Sequence, residues 1–259
     1  MIETLQPPAF SGVVREVLCL IELPRLLLRF PFLVTQPRGK YQPVLIFPPH
    51  GTGDASTTLL KGYLRLLGYR ARGWGLGRNK GDLTELLPRA LKRLASFAKR
   101  SNQKVTLIGW SFGGYLAREL ARERPDLVSR VITLGTPVIG GPKYTAIAEI
   151  YRKRGMDIEA IAIEVESRNQ AALLETPVVA IYSRTDAIVA WEACIDRHTP
   201  NIEHVEVRAT HFGFGFSPDV FKIIAQRLAQ PYTAADQIQP SQQHRRRRAR
   251  FVPRKSDRK

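Results

Sequence analysis

Cysteine is almost missing from this chain, with only Cys19 and Cys194 among 259 residues. Two thiols cannot build a disulfide framework, and neither stands at metal-ligand spacing from other ligating residues. Free buried thiols in a reducing compartment are expected, and with them a cytoplasmic location. Long apolar runs are also missing. Residues 13–33 are rich in apolar side chains but are broken by Arg15, Glu16, Glu22, Arg25 and Arg29, with Pro24 in the middle. That is too polar for a membrane span, which needs about 20 mostly apolar residues. The opening MIETLQPPAF is not a basic leader and no unbroken apolar stretch follows, so no secretory signal is expected. Internal repeats are absent.

Acid is in short supply as well. Asp and Glu number 23 against 40 Lys and Arg, a formal charge of +17. Residues 241–259 contribute +8 of this, from seven Arg and two Lys against one Asp. Such a tail cannot bury apolar surface, and residues 232–259 are expected to be a disordered basic extension. Its charge suits peripheral contact with an anionic membrane or a nucleic acid. A solvated tail with no partner is the competing reading, and no feature calls for an obligate protein partner. Residues 1–39 form a separate N-terminal segment in which Val13, Val14, Val17, Leu18 and Ile21 share a helical face. Either this amphipathic helix packs on the domain, or it lies in a lipid interface and makes the protein peripherally membrane-associated.

What remains is a 40–231 core. The overall apolar fraction of 44% suits a packed interior, and the length suits one α/β domain. Short β-rich runs alternate with helical patterns, which implies βαβ units and a mostly parallel sheet flanked by helices. Six strands are expected, at 44–47, 69–74, 104–109, 128–134, 178–182 and 202–207, with helices over 56–67, 82–100, 115–124 and 217–229. Residues 137–175, between the fourth and fifth strands, are helical in character and too long for an ordinary connection. They are expected to form a small helical cap over a site.

The chemistry centres on Gly109-Trp-Ser-Phe-Gly113, which stands after the strand KVTLI and before the helix YLAREL. A strand–turn–helix elbow thrusts the Ser hydroxyl out of the sheet edge, and small flanking residues let the backbone approach. Ser111 is the candidate nucleophile. A serine hydroxyl needs a base, and the base needs an orienting group, in the chain order Ser, acid, His. Asp186 follows the strand VVAIY and His211 follows the strand VEV, so both reach the carboxyl edge of the sheet where such sites gather. Glu192 and Asp196 compete for the acid role, and His198 and His204 for the base; His244 belongs to the basic tail. A tetrahedral oxyanion needs two backbone donors. The Phe112 amide is one candidate, and the loop His50-Gly-Thr-Gly53 supplies the other, through Thr52 or alternatively Gly51.

At these places the chain resembles the α/β-hydrolase superfamily, in PVLIFPPHGTG, VTLIGWSFGG, VITLGTP, VVAIYSRTDAIV and ATHFGFG. It is most similar to bacterial lipase- and esterase-type members, some of which carry a segment like GYRARGWGLGRNKG after the first helix. The resemblance covers roughly residues 40–231. It implies an α/β-hydrolase fold with eight strands, cleavage of carboxylic esters of small molecules or lipids through an acyl-enzyme on Ser111, and neither metal nor organic cofactor. Acyl transfer or thioester cleavage on the same fold stays open, as does a catalytically silent binding protein. Ala146, Ile147, Ile150, Ile158, Ile161 and Ile163 are candidates to line an acyl pocket, although residues of this kind more often simply form the cap's own core.

Overall fold

The structure, a computed structural model, describes residues 5–230. The expected tail at 232–259 and His244 lie outside the described residues. Six parallel strands form one sheet: β1 (Pro43–Phe47), β2 (Arg70–Gly73), β3 (Val105–Trp110), β4 (Val128–Leu134), β5 (Val178–Tyr182) and β6 (Ile202–Glu206). Their order across the sheet is β2-β1-β3-β4-β5-β6. The eight strands implied by resemblance are therefore reduced to six among the described residues. Where two leading strands would precede β1, the chain is helical instead, with a 3-10 segment at Phe10–Leu18 running into α1 (Cys19–Leu33).

Strands buried on both faces read as continuous apolar runs, and β1 is buried at all five positions. Alternation sends its side chains to two cores. Val44 and Ile46 join one cluster with Leu60 and Leu64 of α2 (Thr58–Leu66) and Phe221 and Ile224 of α7 (Pro218–Leu228). Leu45 and Phe47 join the other with Leu86 and Leu94 of α3 (Leu83–Ser101) and Leu116 and Leu120 of α4 (Phe112–Glu123). The chain runs outward from β1 to β2 and then returns to β3, so helices cover both faces and the winding reverses between β1 and β3. A crevice at the carboxyl ends of strands flanking such a reversal is where ligands bind in open α/β sheets.

Between β4 and β5 lie a short 3-10 turn at Gly141–Tyr144, α5 (Ala148–Lys153) and α6 (Ile158–Ala171). Asp157 caps α6 by accepting the Ala160 amide at 2.9 Å. Asn169 fastens this insertion by donating to the Val138 carbonyl at 2.9 Å.

The N-terminal segment packs differently from the expected apolar face. Val14, Val17, Leu18 and Ile21 are exposed, and the buried side chains are Glu16, Glu22, Leu26 and Leu33. The reason is the 3-10 geometry of residues 10–18, whose three-residue period puts Val13 and Glu16 on one side, a line that Cys19 and Glu22 continue at the start of α1. Polar bonds fix this side to the domain. Arg25 bonds Glu22 at 2.8 Å and Asp219 of α7 at 2.9 Å, and the Tyr63 hydroxyl donates to the Leu33 carbonyl at 3.1 Å.

Candidate active site

Ser111 stands at the tip of β3 with φ 54° and ψ −123°, a conformation that costs a residue with a Cβ about 1–3 kcal/mol. Its backbone is held by four bonds. The Ser111 amide donates to the Leu134 carbonyl at 2.8 Å, and its carbonyl accepts from the Gly114 amide at 2.9 Å, the Thr136 hydroxyl at 3.0 Å and the Tyr115 amide at 3.3 Å. The turn closes because its glycines have no side chain. A Cβ on Gly109 would come within 2.3 Å of the Gly113 carbonyl oxygen, and one on Gly113 within 2.5 Å of the Phe47 carbonyl oxygen. Helix α4 begins immediately at Phe112, three residues earlier than the sequence pattern suggests, which aims its first turn at the serine.

Asp186 and His211 come together from two different loops. His211 Nδ1 and Asp186 Oδ2 are 2.7 Å apart, and both side chains are buried. Asp186 Oδ1 accepts the amides of Ile188 and Val189, each at 2.8 Å, so the carboxylate is fully engaged and its orientation fixed. Burial opposes a charged imidazole, but the Asp186 charge and hydrogen bond outweigh it. With the Glu16 charge adding, His211 titrates above the ordinary histidine value. The bond from Nδ1 to Asp186 leaves Nε2 as the nitrogen free to exchange a proton with a neighbour. The pair abuts the end of β4 through Gly135, where a Cβ would lie 3.0 Å from Asp186 Oδ2 and 3.2 Å from His211 Nδ1. The His211 ring is 6.3 Å from that of Trp110, the residue before Ser111.

The competing residues have other partners. Asp196 pairs with buried Arg118 at 2.6 Å. His204 Nε2 accepts the Asp196 amide at 3.0 Å, His198 lies 3.3 Å from Glu166, and Glu192 sits in a short 3-10 turn at Trp191–Cys194.

A cavity of about 100 Å³ opens at the serine, lined by His50, Ser111, Phe112, Tyr115, Tyr151 and Ile161 among others. Of the six insertion residues considered for an acyl pocket, only Ile161 lines it; Ile158 is buried and Ile163 is exposed. The oxyanion candidates differ in availability. The Thr52 amide donates to the Pro49 carbonyl at 3.3 Å, the long end for such a bond, whereas the Gly51 amide is committed to the Asn79 carbonyl at 2.7 Å.

Three residues of this site escape sequence reasoning. Glu16, buried but outside residues 40–231 in sequence, accepts the amides of Ala187 and His211 on Oε1, each at 3.0 Å, and that of Phe212 on Oε2 at 2.8 Å. One carboxylate thereby joins the Asp186 loop to the His211 loop. Asn79 is buried, donates to the Pro48 carbonyl at 2.8 Å and shapes the His50–Gly53 loop; its signal was the Gly-rich segment containing it. Tyr151 of α5 bonds His50 Nδ1 at 2.7 Å and joins the insertion to that loop. Burial drives the Tyr151 hydroxyl up to about 12 and lowers His50, with Arg154 and Arg78 adding to the latter.

Comparison with known proteins gives the same architecture. Among curated proteins, none matches this sequence. Among solved structures, the metagenome-derived lipolytic enzymes LipS and LipT give a match with TM-score 0.58 and 13% identity, over 74% of this chain and 93% of that one. The mature Bacillus licheniformis lipase BlEst2 superposes with TM-score 0.57 and 14% identity, over 75% of this chain and 94% of that one. Paleococcus ferrophilus monoacylglycerol lipase gives 0.54 and 15%, over 75% and 96%. At such identities the likeness is one of fold. Residues 44–255 match the sequence profile described as Alpha/beta hydrolase family. With most of its length under that match, and with the six-stranded parallel sheet described above, the chain belongs to the alpha/beta hydrolase family.

Proposed function

We propose that this chain is a serine hydrolase that cleaves carboxylic esters through an acyl-enzyme on Ser111. The observation that carries the reading is the buried His211–Asp186 pair at 2.7 Å, set beside the end of the strand that holds Ser111 in its strained turn. In this mechanism the Ser111 hydroxyl attacks the ester carbonyl and passes its proton to His211 Nε2. Asp186 holds the imidazole in the tautomer that can accept at Nε2 and stabilises the imidazolium that forms. The Phe112 amide, at the first turn of α4, meets the developing oxyanion, and the Thr52 amide serves as second donor once it exchanges its long bond to Pro49 for the oxyanion. His211 then returns the proton to the departing alcohol. Water enters, gives its proton to the same nitrogen and releases the acid, which restores Ser111.

The insertion at 137–175 acts as a cap, since α5 and α6 supply one wall of the cavity and Tyr151 ties it to the His50 loop. The three solved lipolytic proteins that share the fold support ester chemistry over other hydrolysis.

The test is direct. A fluorophosphonate probe should label the wild-type chain at Ser111 and leave Ser111→Ala unlabelled. The same substitution should lower p-nitrophenyl ester turnover by roughly a millionfold without changing the thermal melt. A wild-type chain that neither labels nor turns over any ester would point instead to a silent binding protein.

A further inference from the structure

The N-terminal segment is built inside out. Seventeen large apolar side chains are exposed among the described residues, and eleven of them fall between Phe10 and Phe32, with Val14 at 77%, Leu27 at 75% and Leu28 at 81%. Scattered exposed leucines are ordinary, but a concentration of this kind marks a surface made to meet another apolar medium. Its charge is equally one-sided. The carboxylates of residues 5–40 are Glu16 and Glu22, both buried, while Arg15, Arg29, Arg38 and Lys40 are exposed. Arg15 also lines, with Arg184 and Arg208, a cleft of about 810 Å³ between this segment and the loops that carry Asp186 and His211. Glu22, held by Arg25, together with Asp186 and Glu192, supplies the acidic part of its lining.

We propose that this face docks on an anionic lipid bilayer, with residues 10–32 lying in the plane of the interface. An interfacial segment needs apolar side chains for the acyl boundary and cations for the headgroup phosphates, and this segment presents both, its own two acids being buried and the neighbouring exposed Asp219 being paired with Arg25. The same pattern argues against other occupants. A second copy would set one cationic patch against another in a chain of charge +17. A nucleic acid would answer the arginines but leave the leucines in water. No helix among the described residues is long and apolar enough to cross a membrane, so the segment lies on lipid rather than through it. Phe212, also exposed, extends the face to the histidine loop, since its amide is held by Glu16. Docking of this face is independent of whether Ser111 cleaves esters.

Sedimentation of the full chain with vesicles tests this. Vesicles of phosphatidylcholine with a minority of phosphatidylglycerol should bind it, and vesicles of phosphatidylcholine alone should bind it at least about tenfold less. The double substitution Leu27→Glu, Leu28→Glu should lower binding to the anionic vesicles at least about tenfold while the thermal melt stays at the wild-type temperature. If that variant fails to fold, Arg29→Glu with Arg38→Glu carries the test by the same criterion. Binding left intact by these substitutions would overturn the proposal and assign adhesion to residues 241–259. Absence of vesicle binding by the wild type, or a dimer in solution that the leucine substitutions dissociate, would overturn it equally.

Discussion

Glu16 is the residue on which two loops depend. Its two oxygens receive three backbone amides, and hydrogen bonds to an ionised acceptor contribute about 1.5–3 kcal/mol each. Glutamine keeps the shape but offers one oxygen, so its amide group would face a backbone donor at one of the two loops. Its negative charge also supports a protonated His211. The sign follows directly: without that charge the histidine gives up its proton at lower pH. In the proposed mechanism the neutral imidazole is the base, so the acidic limb of kcat/KM for Glu16→Gln should move to lower pH than in the wild type. Loosened positioning should cost roughly ten- to a hundredfold in kcat/KM. A purely structural role would leave the limb where it is, and a pH profile with a soluble ester distinguishes the two. The wild-type shift bears on stability in the opposite sense. A histidine raised on folding stabilises the protein below its unfolded value, and that contribution fades as pH rises through the folded one.

Among the elements, α4 carries both the turn at Ser111 and an internal ion pair. Arg118 and Asp196 are buried together, and Asp196 also accepts the Thr199 hydroxyl at 2.5 Å and the His198 amide at 2.8 Å. Burial alone would raise this carboxyl; the arginine charge and these bonds prevail and bring it down to about 2. Asp196→Asn strands the guanidinium and should cost about 3–5 kcal/mol at neutral pH in chemical denaturation. Because the folded value lies below the unfolded one, the wild-type advantage should hold above the usual aspartate range and shrink as pH falls toward 2.

How much of this is legible in the sequence depends on the distance over which a residue acts. The strands VLIF and VVAIY stand out because burial on both sides leaves them uniformly apolar. Ser111 stands out because it directly follows β3, and Asp186 and His211 because they lie in the loops after β5 and β6, whose ends the topology sets side by side. Glu16 is not, since it bonds amides 171 to 196 residues away. The inner side of its segment also follows a three-residue period rather than the α-helical one. Ile161 is not separable from Ile158 by sequence because residues three apart share a helical face, and spacing does not say which of the two reaches the cavity.

Over the whole molecule, the size of the space at Ser111 sets what it can hold. About 100 Å³ is well short of the roughly 300–1,000 Å³ usual for drug-sized ligands. Across p-nitrophenyl esters from acetyl to palmitoyl, short chains should be turned over fastest and palmitoyl slowest. A profile rising toward palmitoyl would require the insertion to swing away, and Tyr151→Phe, which severs its bond to His50, would then steepen that rise.

The two rims of the sheet bear on how the protein behaves when crowded. On one rim, β2 is four residues long and turns Arg70 and Arg72 outward. On the other, β6 carries Glu203 and Glu206, each already matched by an arginine of its own chain, Arg227 and Arg184. A rim strand with bare peptide groups invites a stranger to extend the sheet, and brevity together with fixed charge discourages it. Concentrated stocks should therefore resist fibre growth from either rim, leaving the greasy N-terminal stretch as the place where clumping would begin.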